Sequence, residues 1–287
     1  MKPIKVLVMS VGKYETNWTV KWLEKIGASD LGVVCLPKEF EENADSYRGR
    51  NIEVFIYDQD KYINDDFEYF GFRKRNCGGI GRQGIAEATE KYGDDYICFE
   101  LDDDTSGYCV KSREKDKVTN VRDKESLIKL VNAFDEFYNE TNIECMGKTG
   151  ATPPNGDFVS NRKIFNNFIM RKGIDLNFDG FKALCSDDQR FNIYRNLIDV
   201  TPTLSTELVS ITFHQSQGDR KDGNAVIYNG DYSWKKSYSL KMMMPWGVSQ
   251  SIIQEKNRML FRENYNPSLI FPPISIVDNG KIIGKLR

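Results

Sequence analysis

The sequence predicts an α/β fold in which a Rossmann-type, mostly parallel sheet is flanked by helices and followed by a small C-terminal extension. Three early runs are continuously apolar, as expected of strands buried on both faces: IKVLVMSV (4–11), LGVVCLP (31–37) and IEVFIYD (52–58). Segments with apolar residues at helical spacing alternate with such runs over the amino-terminal third of the chain. This alternation is typical of parallel sheets, which bind ligands at the carboxyl ends of their strands.

The other elements of the amino-terminal third follow from local signals. The segment 16–27 is predicted to be a helix that stops at a glycine, and the acidic stretch 39–51 is predicted to be a mobile connection. The run 78–104, GGIGRQGIAEATEKYGDDYICFELDDD, combines a glycine-rich turn, a helix and a buried strand. The helix is predicted to end at Gly93, and the strand to begin at Tyr96.

The rest of the chain is predicted from charge, periodicity and turn residues. Residues 111–124 are highly charged and predict an exposed loop, and residues 124–140 have the apolar stripe of an amphipathic helix. The later elements are, in order, a strand at 142–150, a turn-rich loop at 152–157, short strands within 160–186, a helix at 186–199, a strand at 208–215, a loop at 216–230, a helix near 249–263 and a terminal hairpin turning at Asn279–Gly280.

Composition narrows the class of protein. The chain has 287 residues, of which 40% are hydrophobic and 29% charged, and this places it among soluble globular proteins. No apolar run approaches the roughly 20 residues that span a bilayer, so we expect a cytoplasmic protein without a membrane partner. The six cysteines form no C-x-x-C pair, which argues against a thiolate zinc site and a disulfide framework. The net charge of −2 excludes a uniformly basic nucleic-acid coat but leaves a local basic groove open.

Three consecutive aspartates, Asp102, Asp103 and Asp104, follow the predicted strand YICFEL. If the extended geometry continues, the first and third carboxylates project to the same side. Crowded carboxylates repel one another, and a divalent cation that bridges to a phosphorylated ligand is an economical compensation. An acidic surface turn is the alternative interpretation of the same residues.

Arg82 lies at the predicted start of the helix in 78–88, where backbone N–H groups and a guanidinium can both face a phosphate. Arg73, Lys74 and Arg75 just upstream would strengthen the positive field. A helix start with a solvated basic side chain is the alternative. The glycines by themselves form neither a Walker loop nor a clean G-x-G-x-x-G motif.

Two later features could also carry chemistry. Asp187 and Asp188 occupy the first turn of a predicted helix, where acids stabilise the helix dipole and where a carboxylate could also deprotonate an acceptor hydroxyl. His214, the single histidine, ends a predicted strand. It is either a half-buried structural residue or a ligand for the cation that the aspartates would hold.

The C-terminal region is basic and aromatic. Between Arg220 and Arg262 there are eight Lys or Arg residues against three Asp or Glu residues. Stacking combined with phosphate neutralisation is the physics of nucleic-acid contact, so Lys235, Lys236 and Trp246 are candidate acceptor-binding residues. Solvated lysines around a small aromatic core are the alternative.

Taken in order, these motifs resemble a glycosyltransferase of the GT-A fold. The shared elements are an arginine and small residues at a helix start, a hydrophobic strand that runs into D-x-D, a later acid pair and a late histidine. More narrowly, GIGRQGI followed by ELDDDT resembles the TET/JBP-associated glycosyltransferases of phages, which are thought to glycosylate hydroxymethylated pyrimidines in DNA. The resemblance covers about residues 4–216.

The resemblance implies transfer of a sugar from a nucleotide-diphosphate sugar, with a UDP-sugar favoured, to a hydroxyl acceptor, with Mn²⁺ or Mg²⁺ as cofactor and DNA as the favoured acceptor. The residues that it assigns to nucleotide-sugar binding are Ser10, Gly12, Lys13, Asp58, Arg82, Asp102 and Asp103. It assigns the cation to Asp102, Asp104 and His214. It assigns the role of acceptor base to Asp188, with Asp187 as the alternative.

The implied domain organisation is a catalytic domain at 1–216 and a C-terminal extension at 217–287 that could bind the acceptor. Within the catalytic domain the donor half would be about 1–110 and the acceptor half about 111–216. Three other functions stay open: a glycosyltransferase with a polysaccharide or other glycan acceptor, a sugar nucleotidyltransferase, and a DNA-binding protein without enzymatic activity. The sugar and the stereochemical course also stay open.

Overall fold

The structure, a computed structural model, describes residues 2–10, 15, 17–62, 78–112 and 117–141 together with nine later strands. Four parallel strands form the first part of the main sheet: β1 (Ile4–Met9), β2 (Gly32–Pro37), β3 (Glu53–Tyr57) and β4 (Ile97–Leu101). Their spatial order is β3-β2-β1-β4. The predicted α/β class with a mostly parallel sheet is therefore confirmed for this part of the chain.

Seven more strands follow along the chain: β5 (Thr105–Ser112), β6 (Lys117–Asn120), β7 (Cys145–Lys148), β8 (Phe158–Ser160), β9 (Phe165–Met170), β10 (Thr203–Thr206) and β11 (Val209–Phe213). The main sheet continues beyond β4 in the order β9-β7-β10-β8, and β9 is antiparallel to both of its neighbours. A second, antiparallel sheet has the order β11-β5-β6. Two separate strand pairs complete the described chain: β12 (Val248–Glu255) with β13 (Arg258–Tyr265), and β14 (Ile274–Asp278) with β15 (Lys281–Leu286).

Four α-helices are described: α1 (Trp18–Lys25), α2 (Ala44–Arg48), α3 (Gly78–Tyr92) and α4 (Lys124–Glu140). The Asn17 side chain caps α1 by accepting from the backbone N–H of Val20 at 3.0 Å. Asp123 caps α4 in the same way, accepting from the N–H of Ser126 at 2.7 Å. Gly27, with φ of +69°, follows the last turn of α1 in a left-handed conformation that glycine adopts without strain.

The helices cover both faces of the parallel strands. On one face, alternate strand residues such as Val8 and Phe99 join the main apolar core with Leu23 of α1 and Leu127 of α4. The intervening residues face α3, which contacts all four parallel strands. Strands covered on both sides must be apolar on both sides, and this is why their sequences are continuous apolar runs.

Two connections that the sequence predicts as loops contain regular structure. Within 39–51 the chain forms a 3₁₀ turn (Lys38–Asn43) followed by α2, since Ala44 and Tyr47 are buried and anchor the segment to the core. Within 111–124 the end of β5 and the whole of β6 pair with each other. The expectation of irregular structure was therefore wrong at both places, because a polar sequence does not exclude a buried anchor such as Tyr47 or strand pairing such as that of β5 with β6.

The helix predicted near 249–263 is also wrong, because β12 and β13 pair as antiparallel strands there. Their register places Ile252 opposite Phe261 and Ile253 opposite Leu260. Two short apolar groups at this separation fit either a helical period or a tight hairpin, and cross-strand pairing decides between them. The terminal hairpin predicted at Asn279–Gly280 is confirmed by the β14–β15 pair that flanks it.

The described residues cover the predicted domains and the later predicted elements only in part. Every described strand of the main sheet lies before residue 216, but the boundaries of the predicted domains stay a prediction. Over the part of the chain that the structure describes, no helix has the length and apolar character to cross a membrane. The helix predicted at 186–199 and the loops at 152–157 and 216–230 lie outside the described residues.

Candidate functional site

The candidate site lies at the carboxyl ends of β1 and β4. The chain leaves β1 toward β2 and β3 on one side, whereas β4 adds to β1 on the other side. Val8 pairs with Leu101, so the residues that follow these two strands, Ser10 and Asp102, begin at the same edge. The point where the strand order reverses in this way forms the crevice in which open α/β sheets bind ligands.

A buried network of charges occupies the α3 side of this edge. The Arg82 guanidinium from α3 donates a hydrogen bond through Nη1 to Glu100 Oε1 on β4. Its Nη2 lies 3.6 Å from Asp102 Oδ1. Arg82 is 2% exposed, Glu100 1% and Asp102 6%, so all three charges are removed from solvent. One guanidinium therefore serves two buried carboxylates.

The balance of charge at this network is negative. Burial raises the pKa of Asp102 well above its ordinary value. The positive charge of Arg82 opposes this shift, while the neighbouring carboxylates of Asp104, Glu100 and Asp103 add to it. Oδ1 of Asp102 has no hydrogen-bond partner among the described residues. A cation beside this carboxylate would restore the balance of charge and favour the ionised form.

The acidic residues themselves lie in a turn rather than on a continued strand. Strand geometry ends at Leu101, and β5 begins at Thr105. The prediction that Asp102 and Asp104 project to the same side rested on continued extension, and this extension is absent. Strand alternation instead places Glu100 and Asp102 together on the side of α3, where both meet Arg82.

The start of α1 holds the acidic turn in place. The backbone N–H groups of Trp18 and Thr19 lie 2.9 Å and 3.3 Å from the carbonyl oxygen of Asp103. The Thr19 hydroxyl donates to the carbonyl oxygen of Asp102 and accepts from the N–H of Thr105 at 3.0 Å. These amides at the α1 N-terminus are therefore bonded within the protein instead of facing a phosphate.

The glycines of the 78–88 motif serve close packing of α3 on the sheet. A Cβ atom at Gly81 would come within 2.2 Å of Met9 Sδ at the end of β1. A Cβ atom at Gly84 would come within 2.3 Å of the Tyr57 ring at the end of β3. The sequence predicted a glycine-rich turn at the start of this helix, whereas Gly81 and Gly84 lie within α3 and bring it against the strand ends.

Ser10 and Asp58, two predicted nucleotide contacts, both follow strands at the carboxyl edge. Ser10 is buried, and its hydroxyl is 2.9 Å from the hydroxyl of Tyr47 on α2. Asp58 is partly buried, and its Oδ1 accepts from the N–H of Asp60 at 3.1 Å in a local turn. Asp58 follows β3, two strands from β1 and hence about 10 Å away across the sheet. Their contacts with a nucleotide stay predictions.

The other predicted site residues lie outside the described residues: Gly12, Lys13, Asp187, Asp188, His214, Lys235, Lys236 and Trp246. One neighbour of this group is nevertheless described. Strand β11 is antiparallel to β5 and runs toward the acidic turn, with Phe213 opposite Thr105. Phe213 precedes His214 in the sequence, and Thr105 follows Asp104.

Within the described ranges, no three His, Cys, Asp or Glu side chains form a group that could hold a metal ion. The metal site therefore stays a prediction that needs a ligand from the rest of the chain.

Glu100 is a site residue that was not predicted from the sequence. Its signal was available, because an acid at an alternate position of the otherwise apolar strand ICFEL must be paired on a covered face.

The fold and the site together define an α/β protein with a buried, negatively charged cluster at the switch point of its sheet. No protein-family model matches the chain, and the search of curated proteins likewise gave no match. A fold alone does not determine a function, so the residues of the site carry that information.

Proposed function

We propose that the protein is a metal-dependent glycosyltransferase of the GT-A type, with a UDP-sugar as the favoured donor and a hydroxymethylated pyrimidine in DNA as the favoured acceptor. The observation that carries the proposal is that β4 and β11 both end beside the acidic turn. Asp102 and Asp104 follow β4 directly, and β11 ends opposite Thr105, one residue before the single histidine. A D-x-D motif and a late histidine are the metal-binding pattern that the resemblance implies.

The donor set is suited to Mn²⁺ or Mg²⁺. Carboxylate oxygens suit both ions, and neutral imidazole is a further ligand for Mn²⁺. The residues that would hold the ion are Asp102, Asp104 and His214. Oδ1 of Asp102 is buried without a hydrogen bond among the described residues, so it is a group that a cation would satisfy. When bound, the ion neutralises the diphosphate of the leaving nucleotide.

Two groups at this edge that could bind a diphosphate are already bonded within the protein. The first amides of α1 are bonded to Asp103, and the Arg82 guanidinium is bonded to Glu100. Both groups would ordinarily be strong phosphate ligands. Their engagement within the protein supports a metal-dependent donor site over a metal-free one.

The acceptor side of the proposal uses residues outside the described ranges. Asp188 would accept the proton of the acceptor hydroxyl as its oxygen bonds to the anomeric carbon and the bond from that carbon to the diphosphate breaks, and this direct displacement inverts the anomeric carbon. Asp187 is the alternative base. Lys235, Lys236 and Trp246 contact the DNA through its phosphates and bases. If Asp188→Asn kept near-normal turnover, another base or a retaining route would be required.

The test is transfer to DNA. The full chain is incubated with a panel of nucleotide sugars, Mn²⁺ and DNA that contains hydroxymethylcytosine or hydroxymethyluracil, and the digested nucleosides are analysed by mass spectrometry. We expect a hexose or pentose adduct on one modified nucleoside, and its loss on addition of a chelator. Absence of any adduct, together with transfer to a glycan, would overturn the DNA acceptor and leave the glycosyltransferase.

Matched variants on either side of β4 test the donor site. Asp102→Asn and Asp104→Asn should each lower kcat/KM by about 100-fold or more, because each removes the negative charge of one ligand of the ion. Asp95→Asn makes the same change at the other end of β4, where the side chain is exposed, and should leave the rate unchanged. Equal activities in all three variants would contradict the proposed site.

The alternative function has its own assay. If the protein releases pyrophosphate when it is incubated with a nucleoside triphosphate and a sugar phosphate, it is a sugar nucleotidyltransferase.

A further inference from the structure

The Arg82 side chain lies between the backbone of α3 and the sheet. Gly81 precedes it and packs on Met9, while Gly84 follows it and packs on Tyr57. The helix backbone therefore approaches the strands closely on both sides of Arg82. Its side chain extends along the covered face of the sheet and is 2% exposed. A guanidinium held in this way does not reach out of the crevice toward a ligand.

Glu100 determines how the guanidinium is oriented. It lies in the middle of the main sheet, where its backbone pairs with Leu7 of the central strand β1. The hydrogen bond from Arg82 Nη1 to Glu100 directs one side of the planar guanidinium to a fixed point on β4. Nη2 then faces Oδ1 of Asp102 at 3.6 Å. An ion-pair contact of 3.6 Å, without a hydrogen bond, therefore links the Asp102 carboxylate to the Arg82–Glu100 pair.

The geometry points to Arg82 as a positioning residue, which together with Glu100 fixes the Asp102 carboxylate for the cation and does not bind the diphosphate. The inference rests on the proposed function, because it assigns a role toward the same ion. It differs from the role that the resemblance implies for Arg82, which is direct contact with the diphosphate. Residues that orient metal ligands typically change metal affinity by roughly 10- to 100-fold when they are replaced.

A double variant separates positioning from simple structural support. Replacing both partners of a buried ion pair with apolar residues of similar volume is often neutral for stability, whereas removal of one partner is not. Arg82→Met combined with Glu100→Leu replaces this pair but also takes the Arg82 charge away from Asp102, so we expect a folded protein of lower stability, as judged by circular dichroism and thermal unfolding. We expect its affinity for Mn²⁺ alone, measured by electron paramagnetic resonance on the full chain, to fall by roughly 10- to 100-fold.

A control pair is available on another surface of the protein. Arg50 makes two hydrogen bonds of 2.6 Å to Glu24, away from the acidic turn. Arg50→Met combined with Glu24→Leu should bind Mn²⁺ like the original protein. A folded Arg82→Met, Glu100→Leu variant with unchanged Mn²⁺ affinity would overturn the inference.

A second measurement addresses the diphosphate directly. Arg82→Lys keeps the positive charge but loses the planar guanidinium. UDP binding to this variant is measured by calorimetry at saturating Mn²⁺, so that the ion is bound in both proteins. We expect the affinity of the unsubstituted protein, because Arg82 faces Glu100 and Asp102. A clear loss of UDP affinity at saturating Mn²⁺ would show that Arg82 meets the diphosphate and would overturn the inference.

These outcomes are distinguishable from a failure of the proposed function. If the unsubstituted protein transfers no sugar but Mn²⁺ affinity still falls only in the Arg82→Met, Glu100→Leu variant, the positioning role stands without the transferase. If transfer occurs and the variant binds Mn²⁺ normally, the transferase stands and the positioning role is wrong.

Discussion

The Thr19 hydroxyl connects the first helix to the acidic turn, and its removal is the most direct test of how the site is held. Thr19 is fully buried, donates to the carbonyl oxygen of Asp102 and accepts from the N–H of Thr105. The change Thr19→Val keeps the size and shape of the side chain. It removes both hydrogen bonds and leaves two buried backbone groups without this partner.

The expected change in the free energy of unfolding of Thr19→Val has three contributions. Each backbone group that loses its partner costs about 1–3 kcal/mol, so the two together cost about 2–6 kcal/mol. The additional buried methyl group of valine returns about 1 kcal/mol. We therefore expect the free energy of unfolding to fall by about 3 kcal/mol, a large part of the stability of a typical domain.

Urea unfolding measures this change, with Thr19→Ser as the matched control. Serine keeps the hydroxyl and loses one methyl group, so it should lower the free energy of unfolding by about 1 kcal/mol. Unchanged m-values would confirm that the midpoints report stability. Mn²⁺ affinity should fall in the valine variant and not in the serine variant. The reasoning is refuted if the valine variant is as stable as the serine variant.

Other regions of the structure give three further predictions. Gly84→Ala gains about 1 kcal/mol in helix propensity but places a methyl group against the Tyr57 ring, so the free energy of unfolding should fall by about 1–2 kcal/mol. Gly49→Ala is the control, because its Cβ would be 3.4 Å from its nearest neighbour, and it should lose nothing. Equal effects of the two changes would contradict the close approach of α3 to the sheet. Gly27→Ala, at φ +69° with open space around its Cβ, should lower unfolding free energy by about 1 kcal/mol from backbone strain alone, again measured in urea. Burial raises the pKa of the Cys98 thiol from 9.0 to about 12. The stability that the neutral thiol contributes is therefore complete below pH 9 and is lost as the pH rises toward 12. Cys98→Ala should show a smaller decline in the free energy of unfolding over that range, and an identical pH profile would argue against burial of the thiol.

The strands and helices around the main core could be predicted from sequence because each carries its own signal. The apolar runs identified β1 to β4, since strands covered on both faces admit few polar residues. The stripe of Leu127, Leu130 and Val131 identified α4, whose bounds match the predicted 124–140. Such signals are local, so no tertiary information was needed.

The errors in the prediction arose where tertiary contacts outweigh local pattern. Tyr47 turns a polar connection into a buried anchor because its hydroxyl reaches Ser10 on another strand end. The hairpin of β12 and β13 carries apolar residues at a spacing that also suits a helix. A single sequence contains no information on which partner such residues meet.

The sequence predicted the position of the three aspartates after β4, but not the residues that they contact. Three aspartates after a buried strand correctly indicated the carboxyl edge of β4 as a charged place. Arg82 was expected to face a phosphate because it lies near the start of a helix, where backbone N–H groups and a guanidinium can both bind one. Its burial depends on Glu100, which lies on a different element and compensates its charge. Only the packing of α3 on β4 reveals that partnership.

The central position of β1 has a consequence for how the protein folds. β1 pairs with β2, its neighbour in sequence, and with β4, from which it is separated by β2, β3 and α3. The second pairing closes a long loop, and such non-local contacts form slowly. We therefore expect pulse-labelling hydrogen exchange to show protection of β2 amides before those of β4. The crevice between Ser10 and Asp102 would then be among the last parts of the sheet to form during folding.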